Sequence, residues 1–467
     1  MSLKNFFRGL PNIPLLGWMI LIMLCCCETS ELIAQAITEP PRLLITTDIG
    51  GDPDDTQSLI RLLLYLNEFD LEGIVVSASG TPGELQEAVV RPDLVHALID
   101  QYAMVVPSLH QHDGRYPTPD VLHALVKKGN PQRGWNSVGH GHDTEGSNWL
   151  VQAMEKRESR PLNICVWGGQ TDLAQALWQI KHTRTQVDYE TITSNIKIYD
   201  IADQDQIFSK IWSSFPNLFY ILNKADEAKD KREATFRGMY LGGDEDLTSL
   251  RWLEQHVQIH HGALGALYPS KTWTAPNPYG AMKEGDTPSW FYFLDNGLNM
   301  SDHPTLGGWG GRFDEAEDGL YRDAIDSVGG TMSARASVWR WRQDFQNDFE
   351  ARMDWCLEGF ENANHAPSLV VEGTKIGVFH ATARSNLTIE IDLEGSSDPD
   401  HDDMTFEHVP YPELNDGGSI QVEFKGKLAI LHVPSNLPRK TYQVVLAVRD
   451  HGIPSLTSYR RIQVSVD

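Results

Sequence analysis

Four aspartates fall within the eight residues Asp48–Asp55, immediately after the apolar run Leu43–Ile45. An apolar run that ends in two glycines predicts a buried strand followed by a turn, and the apolar stretch Ser58–Leu66 predicts a helix behind it. Acidic residues at the start of a helix are favoured by its dipole, and one or two would be ordinary caps. Four carboxylates at one strand end exceed that need and favour a hard cation such as Ca²⁺. A plain acidic turn with a capping aspartate is the alternative.

The first 36 residues have the pattern of an export signal. Lys4 and Arg8 precede the apolar run Ile13–Cys27, and Ala34-Gln35-Ala36 is a small-x-small cleavage pattern. The run is short for a membrane-spanning helix. We therefore expect residues 1–36 to be a signal peptide and the mature protein to be secreted or periplasmic, without a stable membrane span. A retained N-terminal anchor is the alternative.

Composition indicates a globular protein that does not bind nucleic acid. The chain has 467 residues, of which 41% are hydrophobic and 22% charged, and these fractions are typical of globular proteins. The formal net charge of −25 opposes binding to a phosphate backbone but identifies no other partner. Cys165 and Cys356 are the cysteines that follow the export segment. We expect both to be buried free thiols rather than a disulfide.

Short apolar runs alternate with helical patterns from about residue 42, and the later runs are Leu71–Ser77, Leu162–Trp167, Ile196–Tyr199 and Leu218–Ile221. This alternation predicts an α/β fold, with a mostly parallel open sheet and helices on both faces. Ligands of such sheets bind beyond the carboxyl ends of the strands. Residues 270–345 show little periodicity. We place an α/β domain at residues 42–365, a linker at Asn362–Pro367, and a small all-β sandwich at residues 368–467.

Several motifs resemble one known family. The segment TTDIGGDPDD at residues 46–55 and the segment Trp167–Ala174 resemble the nucleoside hydrolases. A branch of nucleoside-hydrolase-like proteins known as cellulose-binding proteins is more similar, through Asp203–Asp205, EGDTPSWF at residues 284–291, and the segments 215–220 and 339–349. The C-terminal region is also similar to that branch. The resemblance covers residues 42–467 and implies an open sheet of nucleoside hydrolase type.

The resemblance also implies a metal site and its chemistry. Asp48, Asp55, Asp286 and the main-chain carbonyl of Trp167 would bind Ca²⁺, whose oxygen ligands number six to eight. Asp48 would be the catalytic general base acting on a metal-activated water. Asp54 would hold a substrate hydroxyl rather than the metal.

Departures from the family leave the substrate open. Thr46 replaces an aspartate of the family, and Gly285 replaces the histidine that precedes the last metal ligand. The asparagine-rich segment and the histidine that hold the ribose and protonate the base have no clear counterpart. With Asp54, we nominate Asp52, Asp203 and Asn217 as substrate-binding residues, and a structural role is an equal alternative for the last two.

These observations predict a secreted, metal-dependent hydrolase that acts on a glycosidic bond, N-glycosyl or related, of a sugar-containing small molecule or polysaccharide. The alternative is a carbohydrate-binding or cellulose-binding protein that keeps the scaffold without turnover. In a third interpretation, the C-terminal sandwich is a spacer or a docking module. Its acidic turn Asp398–Asp403 either binds a second Ca²⁺ or is simply solvated. The choice between Ca²⁺ and Mg²⁺ and the oligomeric state stay open.

Overall fold

The structure is a computed structural model that describes residues 39–78, 89–272, 281–416 and 418–467. The expected signal peptide lies outside these residues. The chain divides into two compact units, Met1–Pro40 and Pro41–Asp467, and the elements below all belong to the second. Within the described ranges, no helix is both long enough and apolar enough to cross a membrane.

A twisted sheet of eight strands forms the centre of the α/β part, in the order β3-β2-β1-β4-β5-β6-β8-β7. Its strands are β1 (Arg42–Thr47), β2 (Asp70–Val76), β3 (Val126–Lys128), β4 (Leu162–Val166), β5 (Ile196–Ile201), β6 (Phe219–Asn223), β7 (Phe313–Glu317) and β8 (Leu320–Asp323). All neighbours are parallel except β7 and β8, which are antiparallel. The expected mostly parallel sheet is therefore confirmed, and its last two strands come from the region without periodicity.

Helices cover both faces of this sheet. They are α1 (Asp54–Leu63), α2 (Pro92–His112), α3 (Pro119–Leu125), α4 (Glu145–Met154), α5 (Gln170–Thr183), α6 (Gln186–Thr193), α7 (Phe208–Ser214), α8 (Leu250–Leu253), α9 (Gly262–Leu267), α10 (Thr287–Phe291), α11 (Ala336–Trp339) and α12 (Arg342–Asp354). Successive strand residues point to opposite faces, so Leu43 and Ile45 join one apolar core and Leu44 joins the other. Cys165 and Cys356 are buried free thiols, as expected.

A β-sandwich with its own apolar core follows the α/β part. A hairpin of β9 (Asp326–Val328) and β10 (Thr331–Ser333) precedes it. The sandwich strands are β11 (Phe379–Ala383), β12 (Thr388–Asp392), β13 (Met404–Val409), β14 (Gln421–Phe424), β15 (Leu428–His432), β16 (Thr441–Asp450) and β17 (Thr457–Val466). One sheet has the order β11-β17-β16-β13 and the other β12-β15-β14, so the expected small all-β sandwich is confirmed.

The connection between the two parts is anchored by hydrogen bonds. The side-chain amide of Asn364 donates to Asp450 at 3.0 Å and to the carbonyl of Pro454 at 2.7 Å. The indole of Trp355 donates to the carbonyl of Asn364 at 2.9 Å. The segment 362–367 is therefore a fixed connection, and the boundary expected between residues 365 and 368 stays a prediction.

Candidate functional site

Asp48 lies directly beyond the carboxyl end of β1, against the loop that follows β4. A β-carbon added at Gly168 would lie 2.6 Å from Cγ of Asp48, which is closer than such atoms approach. The main-chain nitrogen of Trp167 donates to the carbonyl of Thr46 at 2.9 Å and holds the two strand ends together. The glycine at position 168 therefore lets the carboxylate of Asp48 lie where open α/β sheets bind ligands.

Three further carboxylates meet next to Asp48. Asp54 and Asp55 begin α1, and Asp286 immediately precedes α10. One carboxylate oxygen from each lies within 4.8 Å of the others, and across the described ranges no other trio of metal-binding side chains comes this close. We call Asp54, Asp55 and Asp286 the aspartate trio. The charge of Asp48 acts on both Asp55 and Asp286, so all four form one electrostatic group.

Two polar side chains of α1 bring Asp286 to this position. The Gln57 side-chain oxygen accepts hydrogen bonds from the main-chain nitrogens of Lys283 at 2.7 Å and Glu284 at 3.2 Å. Its side-chain nitrogen donates to the carbonyl of Ala281 at 2.8 Å. Arg61, one helical turn further along, forms a buried ion pair with Glu284 at 2.6 Å. The helix that contributes Asp54 and Asp55 therefore also positions the segment that ends in Asp286.

The two threonines at the end of β1 brace the same group. The hydroxyl of Thr46 donates to the carbonyl of Gly168, and the hydroxyl of Thr47 donates to Oδ1 of Asp55. Thr46 therefore holds the β4 loop, and Thr47 holds a carboxylate of the aspartate trio.

The electrostatics of the group fit a divalent cation. Burial raises the pKa of Asp55 and Asp286 well above the usual range, and the neighbouring carboxylates raise both further. Burial raises the pKa of Asp48 to about 7, although the guanidinium of Arg133 opposes this shift. Oδ2 of Asp286 is buried and has no hydrogen-bond partner within the described part of the chain. Buried carboxylates of like charge need protons or a cation, and their oxygens suit Ca²⁺ or Mg²⁺.

Arg133 is a site residue that the sequence did not reveal. Its Nη2 forms an ion pair with Oδ2 of Asp48, and its Nε donates to the carbonyl of Ala78 at 2.9 Å. The same Nε lies 3.6 Å from Oδ1 of Asp205. Nη1 of Arg133 is buried and makes no hydrogen bond to the residues that the structure describes. Arg133 therefore holds one oxygen of the predicted general base and keeps a donor available.

Lys283 is a second cation at the site. Its Nζ lies 2.6 Å from Oδ2 of Asp52 and 2.9 Å from Oδ2 of Asp54. Lys283 lies three residues before Asp286 and directly precedes the motif EGDTPSWF. Its closeness to that motif in the sequence is the signal that could have identified it. Asp52, predicted to bind substrate, is an ion-pair partner of this lysine.

The carbonyl of Trp167, predicted as a metal ligand, accepts a hydrogen bond from the side-chain amide of Gln204. The indole of Trp167 donates to the hydroxyl of Ser289 at 2.7 Å, and that hydroxyl donates to the carbonyl of Asp286 at 2.6 Å. Trp167 is therefore tied directly to the segment of Asp286. Gln204, inside the motif Asp203–Asp205, is a neighbour of the site whose role the sequence alone did not indicate.

The structure places two of the predicted substrate-binding residues differently from the aspartate trio. Asn217 is exposed in a left-handed turn with φ of 67°, before the first residue of β6. It lies at the amino end of that parallel strand, so the structure does not bring it to the trio, and its role in substrate binding stays a prediction. Asp203 accepts from the main-chain nitrogen of Phe208 at 2.9 Å and pairs with Lys224 at 2.9 Å. These contacts favour the structural role that is its alternative.

Comparison with known proteins agrees with the fold and the motifs. The sequence profile described as "Cellulose-binding Sde182, nucleoside hydrolase-like domain" matches residues 42–313. The profile described as "Cellulose-binding protein Sde0182, C-terminal domain" matches residues 388–466. No protein with a curated function matches the chain significantly.

One solved structure is similar over almost the whole chain. It is a nucleoside hydrolase-related hypothetical protein from Saccharophagus degradans that is associated with carbohydrate metabolism, with 31% identity and a TM-score of 0.76 over 92% of this chain and 100% of that one. Three cadherin repeats of mouse protocadherin γC3 align with 22% of this chain and 33% of their own at 20% identity, and their TM-score of 0.16 is too low to inform the fold. The chain therefore belongs to the Sde182 family of nucleoside hydrolase-like proteins, which the family description calls cellulose-binding.

Proposed function

We propose that the protein is a secreted, divalent-ion-dependent hydrolase that cleaves a glycosidic bond in a sugar-containing substrate. The observation that carries this proposal is the aspartate trio, in which carboxylate oxygens of half-buried Asp54 and buried Asp55 and Asp286 lie within 4.8 Å of one another. A buried oxygen of Asp286 that lacks a partner in the described residues supports the same conclusion. A protein without a cation at this position would bury several like charges at a high cost in free energy.

Asp48, Asp55, Asp286 and the carbonyl of Trp167 are the groups that would hold Ca²⁺. When bound, such an ion supplies Lewis-acid charge that acidifies a water molecule and orients sugar hydroxyls. The unpartnered oxygen of Asp286 and the oxygen-only donor set support this assignment. Ca²⁺ is favoured over Mg²⁺ because the donors are protein carboxylates and a carbonyl, whereas Mg²⁺ usually keeps several waters and takes only one or two carboxylates.

Asp48 acts as the general base that takes a proton from the attacking water. A carboxylate that contacts both the metal ion and the attacking water can take that proton. The Arg133 guanidinium holds one oxygen of Asp48 and leaves the other to face the water. Asp54 accepts a hydrogen bond from a sugar hydroxyl, and the surrounding carboxylates stabilise the oxocarbenium-like transition state.

We infer that the substrate is a glycoside rather than a nucleoside. The solved relative associated with carbohydrate metabolism supports a sugar substrate.

Binding of carbohydrate without turnover is the second candidate function. The ion pair between Arg133 and Asp48 favours it, because a guanidinium paired with one carboxylate oxygen stabilises the ionised form and makes Asp48 a weaker base. The family description as cellulose-binding supports it as well. In this case the four aspartates and Lys283 would hold sugar hydroxyls.

Release of reducing sugar by the full, Ca²⁺-loaded protein separates the two functions. The substrates are a panel of plant oligosaccharides and ribonucleosides, and the variants are Asp48→Asn and, as the matched control, Asp203→Asn. We expect turnover in the wild type, at least 100-fold less in Asp48→Asn, as for loss of a general base, and little change in Asp203→Asn. Retention on cellulose with no turnover on any substrate would favour the binding protein.

A further inference from the structure

Lys283 is fixed in place between two aspartates of the site. Its Nζ lies 2.6 Å from Asp52 and 2.9 Å from Asp54, and its side chain is only 7% exposed. Its main-chain nitrogen is held by Gln57 of α1 at 2.7 Å. The ammonium group therefore cannot move away into solvent without disturbing the segment that carries Asp286.

Asp54 belongs to two arrangements at the same time. It is a member of the aspartate trio, and it is also an ion-pair partner of Lys283. Asp54 lies within 4.8 Å of Asp55 and Asp286, which would hold the ion, so an ammonium group paired with Asp54 lies near the ion and repels it. Salt screens such repulsion poorly in a buried site.

We propose that Lys283 is a built-in counter-ion of this carboxylate cluster that lowers its affinity for a divalent cation. The inference rests on the proposed function, because it assumes that the cluster binds such a cation. It assigns to Lys283 a role in setting when the site is filled, and none in touching the substrate.

The balance of charge at the site supports this role. Six carboxylates face two cations, so four negative charges remain when all eight groups are ionised; the groups are Asp48, Asp52, Asp54, Asp55, Asp205, Asp286, Arg133 and Lys283. A divalent ion reduces this excess to two. Without the lysine, the same ion would face five negative charges, and its attraction to the site would be stronger.

A weakened site has a consequence for where the protein is active. Ca²⁺ sites in extracellular modules bind with dissociation constants of about 10⁻⁴ to 10⁻³ M, whereas cytosolic buffers bind far more tightly. A counter-ion that raises the dissociation constant towards about 10⁻⁴ to 10⁻³ M would leave the site empty where Ca²⁺ is scarce. The site would be filled where Ca²⁺ is abundant. The lysine would thus restrict the loaded state to an environment rich in Ca²⁺.

Calorimetric titration of Ca²⁺ into the EDTA-treated full chain tests the inference without any substrate. We expect Lys283→Met to bind Ca²⁺ at least about tenfold more tightly than the wild type, and Lys283→Arg to remain close to the wild type. Lys197→Met is the matched control, because Lys197 also has a buried side chain, 8% exposed, and pairs with an aspartate, Asp302, at 2.6 Å. Lys197 lies at the amino end of β5, away from the aspartate trio. We expect no change in the control.

The outcomes separate this inference from the proposed function. Equal or weaker Ca²⁺ binding by Lys283→Met overturns the inference and leaves the proposed function standing. Absence of Ca²⁺ and Mg²⁺ binding in every variant overturns both. If Lys283→Met does not fold, Ca²⁺ binding by Asp52→Asn is compared with that by the double variant Asp52→Asn/Lys283→Met. The double variant removes both partners of the ion pair. Tighter Ca²⁺ binding by the double variant supports the inference, and equal Ca²⁺ binding overturns it.

Discussion

Arg61 and Glu284 form an ion pair of 2.6 Å in which neither side chain is exposed to solvent. The Arg61 guanidinium also lies 3.8 Å from the centre of the Phe349 ring, and Glu284 accepts from the hydroxyl of Thr287 at 3.0 Å. This pair joins the helix of Asp54 and Asp55 to the segment of Asp286. The site therefore depends on a buried contact that lies behind it.

Breaking that pair should destabilise the fold and the site together. We expect Arg61→Met to lower the free energy of unfolding by about 3–5 kcal/mol, because it leaves the Glu284 carboxylate buried without its partner. Urea denaturation would measure this loss. Arg91→Met, which removes an exposed pair with Asp93, should change the free energy of unfolding little. A double variant Arg61→Met/Glu284→Gln that is no more stable than Arg61→Met would contradict this explanation.

Gly168→Ala tests the close approach of Asp48 to the β4 loop. The added β-carbon would lie 2.6 Å from Cγ of Asp48 and should displace that carboxylate. We expect a loss of stability of about 1–3 kcal/mol and a large loss of turnover, measured by thermal unfolding and the sugar-release assay. Gly114→Ala is the control, since a β-carbon there meets nothing within 4 Å. Full turnover in Gly168→Ala would show that the position of Asp48 is unimportant.

Stabilisation by Ca²⁺ should grow with pH. Burial raises the pKa of Asp48 from 3.8 to about 7, and it raises those of Asp55 and Asp286 in the same direction. Below pH 3.8 these carboxyls are protonated in both the folded and the unfolded chain. As pH rises from there through 7, the unfolded chain ionises freely while the folded one resists, so the metal-free protein loses stability.

A bound divalent ion favours the ionised carboxylates and offsets that loss. The increase in Tm on adding Ca²⁺ should therefore be larger at pH 8 than at pH 5, as measured by differential scanning calorimetry. Asp286→Asn removes one of these carboxyls and should reduce the difference between the two pH values. An increase in Tm that is the same at both pH values would argue against proton-linked binding.

Much of the sheet was predictable because strands that are buried on both faces appear as continuous apolar runs. The runs at β1 and β4 gave strands within one or two residues of those observed. β7 was not predictable, because Phe313–Glu317 is an edge strand whose last four residues are exposed and mostly charged. Edge strands carry such residues to avoid pairing with other chains.

The four aspartates of the site were predictable for a different reason. Asp48, Asp54, Asp55 and Asp286 were identified by family motifs, and no local pattern would have brought Asp286 to the end of β1. Arg133 gave no signal, because it lies in a loop and its partner Asp48 is 85 positions away in the chain. The order of the chain already places Asn217 away from the trio, since this residue precedes β6 and so lies at the amino end of that strand.

The sandwich should unfold together with the α/β part rather than as a separate module. Asp344 of α12 accepts from the guanidinium of Arg449 at 2.8 Å and from the hydroxyl of Tyr459. The Tyr459 ring lies 5.7 Å from that of Trp341. We expect Tyr459→Phe to lower the free energy of unfolding by about 1–3 kcal/mol, and the control Tyr321→Phe, on the half-buried strand β8, to change it less. Two separate calorimetric transitions would contradict a shared unfolding unit.

The most direct measurement is calorimetric titration of Ca²⁺ and Mg²⁺ into metal-free wild type and Asp286→Asn. The account predicts one divalent ion per wild-type chain. It predicts that Asp286→Asn weakens binding of the ion by more than about 100-fold. Loss of a residue that only contacts a metal ligand typically weakens binding by about 10- to 100-fold. Wild-type protein that takes up neither ion, or an Asp286→Asn variant that binds as tightly as the wild type, would contradict the proposal that the aspartate trio is a metal centre.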